Sequence, residues 1–318
     1  LAQQKRPVTS RAAENLFWLG RYTERAENSV RLAQIVLNHL GGEEPNSRPL
    51  MAWLTATATE NSLVISEAPT ATASPRVFAR SLMAALSPKA TDPLFAKSHS
   101  VGFNLRALKA AAAQVRERLS QEHWNLIVRV EAGFARDGAA LSLDADYTSA
   151  EALAALQSAS ELLAAITGAQ TDRMVRDDGW RLLSIGRHIE RLGTLSQALA
   201  DGLTHGSLAE DGGFEALVAL FDSTITFHAR YQQRRDLPAL VDMLVLDRDN
   251  PRSLAWVLGT LRSRLSKLAN TVHGEVSELA QPLPDPAGWT HAAFCDTDAQ
   301  GQPVALLAVL GQCQQAAM

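Results

Sequence analysis

The sequence predicts an all-α protein, a helical bundle in two halves, and three observations carry that prediction. Apolar residues recur at steps of three and four over most of the 318 residues, the period of a helix with one buried face. Strand-like alternation is short, and its best case, residues 125–130, has helical periodicity on both sides. One motif is written twice: Leu16-Phe17-Trp18-Leu19-Gly20-Arg21-Tyr22-Thr23-Glu24-Arg25 and, 166 residues later, Leu182-Leu183-Ser184-Ile185-Gly186-Arg187-His188-Ile189-Glu190-Arg191. Both copies keep a Leu, a Gly, an Arg, a Glu and a second Arg at the same spacing. The spacing suggests one helix used once in each half, about 1–168 and 169–318. Glycine inside a helix costs about 1 kcal/mol against alanine. Its repetition asks for a cause, and close approach of two helices is the simplest.

The first helix is expected to start at Ser10 as N-cap, with Glu14 in the early turns, where the helix dipole favours an acid. It runs to about residue 40, where Gly41-Gly42 is a stop signal. Residues 43–49 read as a linker, 50–66 as a helix, 68–75 as a loop, and 75–86 as a short helix broken at 87–93. A long helix is expected over 101–119, with Leu105, Leu108, Ala112, Val115 and Leu119 on one side. Another covers 121–132 with Trp124, before a loop at 137–146. An amphipathic helix spans 149–168. Arg176-Asp177-Asp178-Gly179-Trp180 then leads into the second motif helix, which ends near Gly202. After a Gly-rich connection at 204–213 come helices over 214–235 and 238–246. Asn250 as N-cap and Pro251 at the first helical position open a helix reaching about residue 280. Residues 281–302, rich in Pro, Gly and Asp, read as a surface loop, and a last helix begins at Val304.

Composition narrows the function classes. Apolar residues make up 46% and charged residues 20%, as in a soluble globular protein with a sizeable core. A net charge of −4 argues against a general nucleic-acid or anionic-membrane binder. Cys295 and Cys313 have neither metal-ligand spacing nor a disulfide framework, so a reducing cytoplasm is the expected compartment and no metal is expected. No run of apolar residues is long enough to span a membrane, and no secretory signal pattern opens the chain. The chain opens on Leu1 and stops at Met318 inside an apolar helical run, so it reads as a piece of a longer protein.

No phosphate-cradling glycine loop, dinucleotide fingerprint, zinc-protease helix or nucleophile elbow is present. The candidate chemistry lies in the duplicated motif. On a helix, Glu14, Trp18, Arg21, Arg25 and Asn28 form one stripe with Glu24 at its edge, while Leu16, Leu19, Val30 and Leu37 face the other way. Arg187, Glu190, Arg191 and Thr194 make the matching stripe. Two arginines can present planar forks to a carboxylate or phosphate. The same residues can equally form a buried packing network, or plain solvated helix pairs. His188 as a catalytic base is opposed by Tyr22 at the matching position of the first copy. Arg176 is a further anion-holding candidate. Asn250 and Arg252 form another, at a helix start where free N–H groups favour anions, although capping alone accounts for Asn250 and Pro251. Arg116-Glu117-Arg118-Leu119-Ser120 with Trp124 reads as a charged face packed by an aromatic.

Several of these blocks together resemble the alpha-E family of bacterial proteins. They are Ser10-Arg11-Ala12-Ala13-Glu14-Asn15 running on through the first motif to Ala26-Glu27-Asn28, Arg116 to Ser120 with Trp124, Arg176 to Trp180, Gly186 to Arg191, and Asp249-Asn250-Pro251-Arg252-Ser253. The resemblance covers nearly the whole chain in the family's order. Residues 56–75 have no match, and the aromatic-rich tail usual past the last helix is absent. The resemblance implies an all-helical domain associated with, or fused to, circularly permuted ATP-grasp proteins, which join a carboxylate to an amine through an acyl-phosphate. Leu1 to Thr9 looks like the junction of such a fusion. The implied role is a component of an amide or peptide ligation system that binds the ATP-grasp part and helps hold a peptide substrate. ATP and Mg are then expected on that partner, and no cofactor on this chain. The alternatives left open are a non-catalytic scaffold and a stand-alone enzyme with Glu190 or His188 as base.

Overall fold

The first helix starts one residue earlier than its composition suggests. Thr9 has an extended backbone, and its hydroxyl accepts a hydrogen bond from Ala12 N at 3.3 Å, so Thr9 rather than Ser10 is the N-cap and no acid lies in the first turn. The computed structural model describes residues 8–42, 46–86, 99–141, 148–232, 234–270 and 277–318. The described helices are α1 (Ser10–Leu40), α2 (Arg48–Glu60), α3 (Pro75–Leu86), α4 (Val101–Ala113), α5 (Gln121–Leu141), α6 (Ser149–Asp172) and α7 (Asp178–His205). They continue with α8 (Asp211–Leu220), α9 (Thr224–Tyr231), α10 (Leu237–Leu240), α11 (Leu254–Leu268), α12 (His291–Cys295) and α13 (Val304–Ala317). No strand occurs among the described residues, and the protein is all-α. Residues 125–130 lie within α5, where Ile127, Val130 and Phe134 are buried at helical spacing.

α1 and α7 are the central pair. α1 also packs on α4 and α6, and α7 on α11 and α13. Leu16, Leu19, Val30 and Leu37 are fully buried on α1, as their spacing predicts. The indole of Trp53 on α2 is fully buried and donates to Ala198 O of α7 at 3.1 Å, which pins α2 to the pair. By length and composition α6 is apolar enough to cross a membrane. Here its Ala152, Leu156, Ala159, Leu163 and Ile166 side chains are buried, and the helix packs against α1 and α5.

Several boundaries differ from the sequence reading for identifiable reasons. The helix expected over 101–119 stops at Ala113 and continues as a 3₁₀ turn over Arg116–Arg118. Arg116 folds back onto Leu119 O at 2.9 Å and lies over the Trp124 ring. α6 does not stop at Gly168, because Gly168 faces open space and its backbone stays helical to Asp172. The expected midpoint of the chain therefore falls inside a helix. α5 continues through residues 137–141, where a loop was expected. The expected 214–235 helix is two helices: Asp222 adopts a left-handed φ of 49° and turns the chain between α8 and α9. After α10 the chain widens into a π-helical turn, Val241–Leu246. α11 ends at Leu268, and 281–302 is ordered by the turn Pro286–Gly288 and by α12. The remaining parts of the expected segments at 1–7, 43–45, 87–93, 142–146 and 271–276 lie outside the described residues.

Buried histidines give the fold an acid sensitivity with a definite sign. Burial pushes His123 down to about 4. Burial, then Arg191 and Arg187, push His188 down to about 3. An unfolded histidine binds a proton near pH 6.5. Between pH 6.5 and 4 the unfolded chain therefore takes up protons that the folded chain refuses. Stability present above that window is lost as pH falls through it, by on the order of 1–2 kcal/mol per histidine at pH 5. Urea unfolding at pH 7 and pH 5 checks this: His123→Gln should reduce the loss, and an identical loss in that variant would contradict it.

Candidate functional site: a reciprocal arginine–glutamate clasp

The two motif glycines lie where α1 and α7 cross. A Cβ on Gly20 would press on the backbone carbonyl of Leu183, 2.9 Å from its carbon and 3.1 Å from Arg187 N. A Cβ on Gly186 would meet the Phe17 carbonyl in the same way, 3.0 Å from its carbon and 3.1 Å from Arg21 N. Each glycine thus sits against the residue three before the other glycine and the residue just after it. Backbones this close can be reached only where both side chains are missing.

That approach puts each glutamate between the arginines of the opposite copy. Glu190 accepts from Arg21 Nε at 2.9 Å, and from Arg25 Nε at 2.8 Å and Nη2 at 2.9 Å. Glu24 accepts from Arg191 Nε at 2.7 Å and Nη2 at 2.8 Å, and from Arg187 Nη2 at 3.3 Å. Between the two pairs, Asn28 donates to Thr194 at 3.4 Å. The stripes are therefore not same-helix pairs. They interlock across α1 and α7, and Glu24, expected at the stripe's edge, is fully buried at its centre.

The two ends of the clasp differ. Glu24 carries a third arginine: Arg252 Nη1 lies 3.1 Å from it, and Arg252 Nη2 lies 3.8 Å from Glu27. Glu27 in turn accepts from Thr167, and Arg191 Nη1 donates to Pro251 O at 3.0 Å. Burial works to raise the Glu24 carboxyl, but Arg191, Arg252 and Arg187 outweigh it and hold it well below the ordinary value. Burial and Arg191 bring Arg252 down to about 10, against the pull of Glu24. The Glu190 end has two arginines and stays partly open: side-chain exposure is 12% for Glu190, 16% for Arg21 and 28% for Arg25. Its arginines lie on aromatic rings, Arg21 5.4 Å over Trp18 and Arg25 5.5 Å over Tyr22, and those two rings stack at 5.5 Å. At the buried end, Ser184 and His188 occupy the matching positions.

Other candidates fall elsewhere. Glu14 is exposed and makes none of these contacts. Asn250 is not an N-cap: Ser253 caps α11, accepting from Trp256 N at 3.1 Å. Asn250 is buried, donates to Met243 O at 3.0 Å and accepts from Arg252 N at 3.0 Å. It folds the turn that sends Arg252 back to Glu24, so Arg252 sits before the helix and points at a carboxylate rather than a helix-end anion site. Arg176 is exposed and lies 5.2 Å over the Trp180 ring. Arg118 pairs with Asp177, the N-cap of α7. A Cβ on Gly179 would meet the mobile ends of the Arg118 and Leu16 side chains. His188 is buried, held low in pKa, and bonded through Nδ1 to Ser184 O, which leaves it poorly placed as a base. Cys295 meets His291, 3.7 Å away, a contact that has no signal in the sequence. Burial and Asp236 push that thiol up, the opposite of an activated nucleophile. Among the described residues no group of three His, Cys, Asp or Glu is placed to hold a metal ion.

The family model for Alpha-E, described as "a predicted alpha-helical domain with a conserved ER motif", matches residues 8–316. Glu-Arg pairs occur here as Glu24-Arg25, Glu117-Arg118 and Glu190-Arg191. Uncharacterized proteins of Mycobacterium tuberculosis and Mycobacterium bovis are 32% identical over a 276-residue alignment that covers 81% of this chain. The chain spans about 30% of the length of these relatives. No solved structure matches it.

Proposed function

The chain belongs to the Alpha-E family, and we propose that it serves as the rigid helical component of an ATP-dependent amide- or peptide-ligating system. In this reading it docks a circularly permuted ATP-grasp partner, fused or separate, that supplies ATP and Mg, and the chain itself activates no nucleotide. The asymmetry of the clasp carries the reading. The Glu24 end is sealed under three arginines and serves architecture. The Glu190 end leaves Arg21 and Arg25 part-exposed beside Trp18 and Tyr22, a cation-and-aromatic face of the kind that anchors partners or acidic substrates. The length of the relatives leaves room for a fused partner in proteins of this kind.

The burial of Glu24 favours the scaffold reading for half of the duplicated motif. Arg187 is buried within that network, so its loss would unsettle the fold and could not report on ligation alone. The test therefore uses Trp18→Ala with Arg21→Ala, and calorimetric titration against a circularly permuted ATP-grasp protein from the same genome. Wild-type chain should bind and stimulate ATP-dependent coupling of an acidic peptide to an amine. The double variant should keep its fold and bind at least ten-fold more weakly. Failure of the wild type to bind, or full affinity in the variant, would overturn the proposal.

A further inference from the structure

We infer that the cleft between α11 and the Pro286–Gly288 turn binds a small molecule bearing two or more phosphoryl groups. The cleft has a volume of about 460 Å³ and is lined by Arg248, Arg262 and Arg264 with Trp256, Thr260 and Ser263. That volume is in the range of ordinary small-molecule sites. Asp285 also lines it and lies 3.4 Å from Arg262, which leaves the other two arginines unbalanced. Among the described residues neither Arg248 nor Arg264 has a carboxylate within ion-pair distance.

Behind them the positive charge accumulates further. Arg264 lies 4.7 Å over the Trp180 ring and Arg176 lies 5.2 Å over the same ring. Burial, then Arg176 and Arg181, pull the Arg264 pKa down. Asp285 offsets Arg262 and Asp178 offsets Arg181, so the repulsion left over is that of Arg264 with Arg176, and a bound anion relieves it. The chain as a whole carries −4, so this concentration is not inherited from composition.

The donor set selects the anion. A single carboxylate would satisfy one arginine fork and leave the rest unmatched. Arg248 and Arg264 together call for at least two negative charges. Thr260 and Ser263, three apart on α11, add hydroxyl donors from one face. A diphosphate offers oxygens to all four, and the half-buried Trp256 ring supplies an apolar wall for an organic portion.

The test is titration of the full chain with pyrophosphate, followed by calorimetry and by tryptophan fluorescence, in parallel with Arg248→Ala, Arg264→Gln and, as a control, Arg129→Ala on the exposed face of α5. Pyrophosphate should bind at least ten-fold tighter than orthophosphate or tri-glutamate. Each cleft variant should lose at least ten-fold, and Arg129→Ala should be unaffected. Because Arg248 makes no ion pair, Arg248→Ala should melt within a few degrees of wild type, which separates lost binding from lost folding. No pyrophosphate binding at millimolar concentration, equal loss in Arg129→Ala, or preference for tri-glutamate would each overturn the assignment.

Discussion

Replacing Gly20 with alanine should destabilise the fold by about 3 kcal/mol or more, although alanine is the better helix former by about 1 kcal/mol. The new methyl would sit against the Leu183 carbonyl and the Arg187 backbone nitrogen, neither of which can rotate away. The helices would have to separate, and separation would draw each glutamate off the arginines of the opposite copy. Gly186→Ala meets the Phe17 carbonyl in the same way and should cost a similar amount. Gly168→Ala is the control, because nothing lies within 4 Å of its added methyl. There alanine should stabilise by up to about 1 kcal/mol. Urea unfolding of the three variants checks the signs: a neutral or stabilised Gly20→Ala would show that the crossing tolerates separation.

Glu24→Gln should cost about 3–5 kcal/mol, the range for breaking a buried ion pair by removing one partner. The loss would leave Arg187, Arg191 and Arg252 facing one another with Glu27 as the nearest remaining carboxylate. Glu190→Gln should cost roughly 1–2 kcal/mol, because water can reach Arg21 and Arg25. Acid should act on Glu24 in the same direction as the substitution. Its folded pKa lies below its unfolded value, so its contribution is complete above about pH 4 and is lost as pH falls through the folded pKa. Equal costs for Glu24→Gln and Glu190→Gln in denaturant unfolding would contradict the difference between the two ends.

The all-α class and the importance of α1 and α7 were legible because they rest on periodicity and duplication, which are local properties. The apolar positions Leu16, Leu19, Val30 and Leu37 are buried as their spacing requires. The pairing inside the motif was not legible. On one helix Glu24 stands three residues from Arg21, and nothing in the sequence says that it turns instead to Arg187 and Arg191 across the crossing. Arg252 reads in the sequence as an anion candidate at a helix start, whereas in the fold it pairs with Glu24. Asn250 and Ser253 are both good capping residues, and only the hydrogen bond from Trp256 N decides that Ser253 caps. That displacement of three residues turns Arg252 from a helix-end anion holder into the third arginine on Glu24. The break at Asp222 carried no Pro or Gly signal, since it depends on an aspartate tolerating a left-handed backbone. The arginine cleft joins segments far apart in sequence, and of its surroundings the sequence marks out only the Arg176–Trp180 block.

The most direct test of the reciprocal clasp is a set of double-mutant cycles in urea unfolding: Glu24→Gln with Arg191→Met, Glu190→Gln with Arg25→Met, and Glu24→Gln with Arg21→Met. Pairs that interlock across α1 and α7 should couple by about 1–3 kcal/mol, with the buried Glu24–Arg191 pair the stronger, and the same-helix pair Glu24–Arg21 should couple by less than about 0.5 kcal/mol. Strong coupling of Glu24 to Arg21 with none to Arg191 would mean that each motif copy is held together within its own helix, and the clasp would not exist.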